Sequence, residues 1–389
     1  MDDTSKPIRV IYFVTTLVRG GGERNLVQYC LNMDPSKFQI EVWCLYKVES
    51  AFADRLVANG INIRYLANRG ERRSKLIWTV GKALAKSNAE LIHVFLPTVA
   101  YYAVFAKAVY RMKTPILFSS GGVTMTLLGQ KAMFRYGLSR YAYPIICNSQ
   151  TVKNWWTGIG VDPKLLRVIQ NGHDLALYQQ PVDTLSIRDQ LGVKEDEFLI
   201  LTVGRLIATK RVCDLIQAMA ILKEQFPNRL RLVIAGDGPV RESLSELCES
   251  LGVTDRVNFL GVRSDVVSLL KTADLFAFPS ESEGLPNAVI EASLAGVPIV
   301  GSNIGPVSEV VKHRESALLC DTRSPSELAE LIAELIVNPE MAKELADNAK
   351  KNAESRFKLE FALVKMTNAY YDAMAGRTVC QARQASKLS

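Results

Sequence analysis

Two glutamates eight positions apart give this sequence its clearest chemical signal. Glu283 follows an apolar strand that ends at Phe278, and Glu291 falls about one turn into a helix with Pro286 near its start. Helical side chains lean towards the helix N-terminus, so both carboxylates are predicted to lie near one loop. The backbone N–H groups of residues 284–287 face the same loop and can bind an anionic group. A capping and solubility pattern is the alternative, and the apolar residues around Glu291 argue against it.

Arg205 and Lys210 form the second candidate site. Arg205 lies just after the predicted strand Phe198–Val203, and Lys210 is predicted to open the next helix. At the carboxyl edge of a parallel sheet, an arginine fork and a lysine charge beside a helix N-terminus suit a diphosphate. Two solvated loop cations are the alternative interpretation.

Three consecutive glycines, Gly20–Gly22, follow the first predicted strand. Glycines let backbone N–H groups approach an anion, and the following helix adds a favourable partial charge. The spacing is not the G-x-G-x-x-G of dinucleotide-binding folds, and the sequence has no G-x-x-x-x-G-K-[ST] loop. A nicotinamide dinucleotide and a P-loop nucleotidase are therefore disfavoured, whereas a plain strand–helix turn stays open as an alternative.

Short apolar runs alternate with helical patterns, and the alternation restarts in the second half of the chain. This pattern predicts an α/β fold with two facing Rossmann-like, doubly wound domains, each built on a parallel sheet. We place the first domain at 1–178 and the second at 190–356, with a polar, proline-containing join between them. Ligands of open α/β sheets bind outside the carboxyl ends of the strands, so we expect an interdomain cleft to hold the site.

Taken together, these motifs resemble the retaining nucleotide-sugar glycosyltransferases of family 4, which have the two-domain GT-B fold. The similarity extends over roughly residues 8–355. The matching elements are Gly20–Arg24, Val168–Asp174, Gly204 and Arg205 with Lys210, Ala235–Pro239, Val257–Gly261, and Glu283–Glu291.

The resemblance implies a role for each matching residue. Arg205 and Lys210 would hold the donor diphosphate, Glu283 would contact the transferred sugar, and Glu291 would accept hydrogen bonds from the ribose hydroxyls. The base would meet the segment Gly261–Arg263. In this family the last helix crosses back to the first domain, which makes residues 357–389, with Tyr370 and Tyr371, the candidates here. The remaining donor-binding candidates are Gly21, Gly22, Gly236, Arg263, Gly284, Leu285, Pro286 and Asn287.

The resemblance also implies retention by a front-face route, in which the leaving diphosphate oxygen deprotonates the acceptor hydroxyl. Arg205 and Lys210 would stabilise the developing charge, and Glu283 is not expected to be a nucleophile. The sequence has no Asp-x-Asp pair, so we expect no metal or cofactor besides the nucleotide-sugar donor. A UDP-sugar is the expected donor, with GDP open. A nucleotide-sugar epimerase of the same fold and a non-catalytic glycan- or nucleotide-binding module are the alternatives.

The net charge of +7 is unevenly distributed. Residues 1–180 hold 23 basic and 11 acidic side chains, whereas residues 181–389 hold 24 and 29. The basic half predicts a negatively charged acceptor, either a glycan or a polyprenyl-diphosphate-linked one, or an anionic membrane surface. The acceptor candidates are Arg69, Arg72, Arg73, His93, Ser120, Gly121 and His173, and a structural role is the alternative for both histidines.

Two features of the first half bear on the acceptor. Family members often carry a histidine in the loop after the fifth strand, where this chain reads Ser119-Ser120-Gly121-Gly122. Lys131, Arg135 and Arg140 interleave with aromatic residues, which suits an anionic membrane surface or equally an ordinary amphipathic helix.

Several protein classes are disfavoured. No apolar run approaches the roughly 20 residues of a membrane span, and the first residues are too polar for a secretory signal. Seven scattered cysteines and three histidines form no disulfide or zinc pattern. There is no nucleic-acid recognition motif. We therefore expect a cytoplasmic protein, with peripheral binding to the inner face of the plasma membrane as an option.

Overall fold

The computed structural model describes residues 6–18, 20–122, 137, 139–227 and 229–375. The chain divides into two compact units: Met1–Gly172 with Glu360–Ser389, and His173–Leu359. The first boundary therefore lies earlier than the predicted residue 178. The cause is His173, whose N–H donates to the Phe357 carbonyl (2.8 Å) and whose carbonyl accepts from Leu359 N (3.0 Å).

Among the described residues, the first unit holds a seven-stranded parallel sheet in the order β3-β2-β1-β4-β5-β6-β7. The strand order reverses between β1 and β4, as in a doubly wound fold. The strands are β1 (Ile8–Val14), β2 (Phe38–Tyr46), β3 (Asn62–Ala67), β4 (Leu91–Phe95), β5 (Ile116–Ser120), β6 (Ala142–Cys147) and β7 (Leu166–Val168).

The second unit repeats this plan with six described strands, all parallel, in the order β10-β9-β8-β11-β12-β13. Its order reverses between β8 and β11. The strands are β8 (Phe198–Val203), β9 (Leu230–Ala235), β10 (Val257–Gly261), β11 (Leu275–Phe278), β12 (Ile299–Ser302) and β13 (Leu318–Cys320).

The helices connect successive strands, as right-handed crossovers in parallel sheets require. In chain order, the described helices are α1 (Gly21–Asn32), α2 (Ala51–Ala58), α3 (Arg73–Ala85), α4 (Pro97–Val109), α5 (Ser139–Tyr141), α6 (Gln150–Gly158), α7 (Ala176–Gln179), α8 (Thr184–Gln190), α9 (Val212–Gln225), α10 (Arg241–Ser250), α11 (Val266–Thr272), α12 (Asn287–Ala295), α13 (Gly305–Ser308), α14 (Pro325–Val337), α15 (Pro339–Arg356) and α16 (Leu359–Met374).

Each sheet is covered by apolar clusters on both faces, because alternate residues of a strand point to opposite faces. In the first unit, Phe13 lies in one cluster and Tyr12 in the other. In the second unit, Leu201 and Ile200 are divided in the same way. Strands buried on both faces explain the continuous apolar runs in the sequence.

The last helix, α16, packs into the first unit. One stripe of its side chains joins the cluster that contains Tyr12 and Leu26 on the β1 face. Its buried members recur at intervals of three and four residues, as expected of a one-faced helix. They are Ala362, Met366, Ala369, Tyr370 and Ala373.

Candidate functional site

The candidate site lies in the second unit, at the carboxyl ends of β8 and β11, where the strand order reverses. A cavity of about 10 Å³, roughly the room for one water, lies at this point. Gly204, Arg205 and Lys210 contribute to its wall from the β8 side, and Phe278 and Pro279 from the β11 side. Both predicted cations therefore line the same position on the sheet edge.

Lys210 and Glu283 are in direct contact. The Lys210 Nζ donates a hydrogen bond to Glu283 Oε1, and these side chains are 22% and 11% exposed. The ammonium group also lies 5.3 Å from the centre of the Phe278 ring, within the range of a cation–π contact. The two residues were predicted as parts of separate motifs, and the fold joins them.

The loop with Lys210 differs from its prediction. Lys210 does not open α9 but ends a single 3₁₀ turn, Ala208–Lys210, because Arg211 has a left-handed backbone (φ 53°) before α9 begins. The Thr209 carbonyl accepts from Glu281 N (2.9 Å) and Ser280 Oγ (3.2 Å). These bonds tie the Lys210 loop to the loop that carries Glu283.

Gly236 has a packing reason that the sequence did not suggest. A Cβ on Gly236 would lie 1.8 Å from the Gly204 carbonyl oxygen, and one on Gly238 would lie 2.2 Å from the Leu206 oxygen. The loops after β8 and β9 are therefore in backbone contact, and Leu206 N donates to the Asp237 carbonyl (3.0 Å). These glycines therefore allow the loop that carries Arg205 to pack against the loop after β9, whereas donor contact by Gly236 stays a prediction.

Glu291 lies on the fifth position of α12 and is 3% exposed. Burial of an ionisable side chain requires polar partners or a functional reason. Gly284, Leu285 and Pro286 are also buried, and Asn287 begins the helix. Val289 N and Ile290 N already donate to the Pro286 carbonyl at 3.0 and 3.2 Å, and an anion at the earlier N–H groups of this loop stays a prediction.

Arg263 is held by a neighbour on its own loop. Its Nε and Nη2 donate to the two carboxylate oxygens of Asp265 at 2.8 and 2.6 Å. The same bonds hold the pKa of Asp265 below its usual range. Arg263 follows Val262, which is 56% exposed, at the end of β10. A base-receiving role for this segment stays a prediction.

The glycine run in the first unit forms part of a helix rather than a loop before one. Helix α1 begins at Gly21, and Gly20 precedes it with extended backbone. Gly21 and Gly22 therefore lie in the first turn, whose N–H groups have no partners within the helix. Glu23 of the same turn is 9% exposed.

His93 lies in the core, which fits the structural role given as the alternative for this residue, and an acceptor contact stays a prediction. It is fully buried, its Nδ1 lies 2.7 Å from the Tyr370 hydroxyl, and its Nε2 lies 2.7 Å from Ser119 Oγ. Tyr370 donates in turn to the Tyr12 hydroxyl at 2.7 Å. Burial lowers the pKa of His93 well below its usual value, so the imidazole is neutral at physiological pH.

The other acceptor candidates have different surroundings. Arg69 and Arg72 are exposed, near the end of edge strand β3, and Arg73 begins α3. Ser120 is 1% exposed, whereas Gly121 is exposed, and an acceptor contact by either residue stays a prediction.

His173 belongs to the second unit and not to the predicted first domain. It is 5% exposed, and its Nδ1 lies 3.4 Å from the Tyr178 hydroxyl. Its backbone bonds fasten the start of the second unit to the end of α15.

Two further predictions concern residues outside or beyond these sites. Lys131 and Arg135 of the basic aromatic segment lie outside the described residues. Arg140 is described, and its guanidinium lies 5.6 Å from the centre of the Tyr141 ring.

Within the described part of the chain, no helix is long and apolar enough to cross a membrane, and no three His, Cys, Asp or Glu side chains are grouped to hold a metal. The six described cysteines are free. Burial raises the pKa of Cys44 and Cys147 to about 12, which makes both unreactive thiols.

Two family models of glycosyltransferases match the two halves of the chain. The family model described as Glycosyltransferase Family 4 matches residues 19–177, and the one described as Glycosyl transferases group 1 matches residues 183–352. The N-acetyl-alpha-D-glucosaminyl L-malate synthase of Bacillus anthracis is 26% identical over 294 residues, which cover 74% of this chain and 76% of that protein. An uncharacterized glycosyltransferase of Methanocaldococcus jannaschii is 33% identical over 194 residues, about half of each chain.

Among solved structures, Anabaena HepE in complex with UDP and glucose aligns with a TM-score of 0.84 and 23% identity. The alignment covers 94% of this chain and 99% of that one. At this identity the likeness concerns the fold.

Proposed function

We propose that this chain, a member of glycosyltransferase family 4 with a fold of the GT-B type, moves a sugar from a UDP-sugar to an acceptor. The acceptor group is a hydroxyl of a glycan or of a lipid-linked molecule, and the configuration at the anomeric carbon is retained. The convergence of Arg205, Lys210 and Glu283 on one point of the second sheet carries this proposal. A diphosphate leaving group needs cations at such an edge, and a sugar needs a fixed hydrogen-bonding carboxylate.

The donor diphosphate is assigned to Arg205 and Lys210. Arg205 is exposed at the mouth of the small cavity, so its fork can reach a phosphate bidentately, whereas Lys210 supplies a point charge from the same β8 side. The N-terminus of α12 adds partial positive charge. Glu291 is assigned to the ribose hydroxyls.

The reaction we propose is a front-face displacement. The bond between the anomeric carbon and the diphosphate oxygen breaks, and the acceptor hydroxyl oxygen bonds to the same face of that carbon. The acceptor proton passes to the leaving diphosphate oxygen. Arg205 and Lys210 stabilise the negative charge on the diphosphate as it develops, which is positioning and electrostatic catalysis without a covalent intermediate.

Glu283 has a partner that does not suit a nucleophile. Its Oε1 already accepts from Lys210, so we assign it to orienting Lys210 and contacting the transferred sugar. A double displacement would require a carboxylate free to attack the anomeric carbon.

We assign the acceptor to the basic first half of the chain. Exposed Arg69 and Arg72 suit a phosphorylated or membrane-borne acceptor on the cytoplasmic leaflet. Flotation with anionic and neutral vesicles at low salt tests the membrane part. We expect the protein to float with anionic vesicles and not with neutral ones. A protein that binds neither kind of vesicle and is active on soluble sugars would overturn the membrane assignment.

Incubation with a panel of UDP- and GDP-sugars and candidate acceptors tests the reaction. We expect nucleoside diphosphate release that requires Arg205, Lys210, Glu283 and Glu291, and a product whose anomeric configuration in NMR matches the donor. Donor interconversion without release would indicate an epimerase. Binding without turnover on any acceptor would indicate a binding module, and an inverted product would refute the front-face route.

A further inference from the structure

Arg211, directly after Lys210, has an unusual backbone. Its φ is 53°, a left-handed conformation that is uncommon for a residue with a Cβ and that favours glycine. Residues held in this region need compensation from their surroundings, and they concentrate at functional sites. The compensation here comes from its side chain.

The Arg211 guanidinium is bound to Asp214 in the first turn of α9. Arg211 Nε lies 3.0 Å from Asp214 Oδ2, and Nη2 lies 2.5 Å from Oδ1. Asp214 is 3% exposed, and its N–H donates to the Arg211 carbonyl at 2.9 Å. This two-point bond supports the charge of the buried carboxylate and fixes the left-handed turn at once.

The turn determines where Lys210 points. Lys210 N donates to the Ile207 carbonyl (3.0 Å) and Arg211 N to the Ala208 carbonyl (3.1 Å). On its other side the loop is bound to the Glu283 loop through the Thr209 carbonyl. If Arg211 had a right-handed backbone, α9 would extend backwards through Lys210. The Lys210 side chain would then turn away from Glu283.

We propose that Arg211, through its bond to Asp214, is a positioning residue that holds Lys210 at the donor diphosphate. The inference rests on the proposed function, since it assumes that Lys210 binds that group. Arg211 itself is not assigned a contact with the donor.

Titration calorimetry with UDP, repeated with GDP, tests this on wild type, Lys210→Ala, Arg211→Ala and Arg211→Gly. Arg211→Ala loses the bond to Asp214 and keeps a Cβ in the left-handed region. We therefore expect UDP to bind about tenfold more weakly than to wild type. Arg211→Gly also loses the bond but adopts the turn without strain, so affinity should recover to within about threefold of wild type.

Arg314 provides a matched control. It is also left-handed (φ 60°) and bound at two points to a carboxylate, Glu334, at 2.8 and 3.1 Å. It lies in the turn before β13, outside the site. Arg314→Ala and Arg314→Gly should leave UDP affinity within about twofold of wild type. Their melting temperatures should fall less than those of the Arg211 variants, because the side chains of Arg314 and Glu334 are 53% and 28% exposed, against 24% and 4% for Arg211 and Asp214.

The outcomes separate the two proposals. If wild type binds neither UDP nor GDP, the proposed function is wrong and the positioning role falls with it. If wild type binds and Lys210→Ala weakens binding, but Arg211→Ala equals wild type or Arg211→Gly shows no recovery, the positioning role alone is overturned.

Discussion

Replacing Tyr370 with phenylalanine removes one hydroxyl from the centre of a buried hydrogen-bond chain. That hydroxyl lies 2.7 Å from both the Tyr12 hydroxyl and His93 Nδ1, and all three residues are fully buried. The ring itself packs edge-on against Phe38, with centroids 5.4 Å apart. Phenylalanine keeps that contact, so the substitution isolates the hydrogen bonds.

The expected cost follows from the two bonds. Each contributes about 1 kcal/mol, and a buried polar group left without its partner costs about 1–3 kcal/mol. We therefore expect Tyr370→Phe to lower the free energy of unfolding of the first unit by about 2–4 kcal/mol. The neighbouring Tyr371 is 43% exposed, so Tyr371→Phe, the matched control, should change it by less than about 0.5 kcal/mol.

Urea unfolding followed by tryptophan fluorescence measures this difference. All four tryptophans, Trp43, Trp78, Trp155 and Trp156, belong to the first unit, so their signal reports on the unit that contains Tyr370. If both tyrosine substitutions have the same small effect, the hydroxyl chain does not stabilise the unit and the reasoning is refuted.

Three further predictions follow from other features. Burial keeps the pKa of His93 below the value of 6.5 that an exposed histidine has. At acidic pH the unfolded chain therefore binds a proton at this residue that the folded chain does not. The free energy of unfolding should fall as the pH drops below about 6.5, by up to about 1.4 kcal/mol per pH unit. The pH dependence of unfolding should be flatter in His93→Gln, and identical slopes would contradict the assignment. Gly236→Ala should destabilise the second unit by about 2 kcal/mol or more, since its Cβ would meet the Gly204 oxygen at 1.8 Å. Gly158→Ala, whose Cβ would have nothing within 4 Å, should leave thermal unfolding nearly unchanged. Equal melting temperatures of the two variants would argue against the backbone contact. Replacing Arg69 and Arg72 with glutamate should reduce vesicle flotation and acceptor use, while UDP affinity stays within about twofold of wild type. An equal loss of UDP affinity would contradict their assignment to the acceptor.

Periodicity predicted most of the fold because long buried elements carry a strong pattern. The apolar residues of segment 212–226 recur at helical spacing, and Leu215, Ile216, Met219 and Leu222 of α9 are all buried. The edge strands β7 and β13 were not predicted, since each has only three residues. So short a segment shows no alternation that distinguishes a strand from a loop.

The sequence motifs predicted which residues form the candidate site, but not which of these residues contact each other. The sequence has no signal that Lys210 and Glu283 touch, because they lie on loops of different strands and only the parallel sheet brings the loops together. The left-handed turn at Arg211 was missed since no glycine marks it. His93 and Tyr370 are 277 positions apart, so their hydrogen bond follows from packing alone and has no signal in the sequence.

A crystal structure of the chain with a bound UDP-sugar would show whether the carboxyl edge of the second sheet binds the diphosphate of a nucleotide sugar. We predict the diphosphate within hydrogen-bond distance of the Arg205 and Lys210 side chains, with the ribose on Glu291 and the sugar beside Glu283. A diphosphate bound away from both cations would contradict the account.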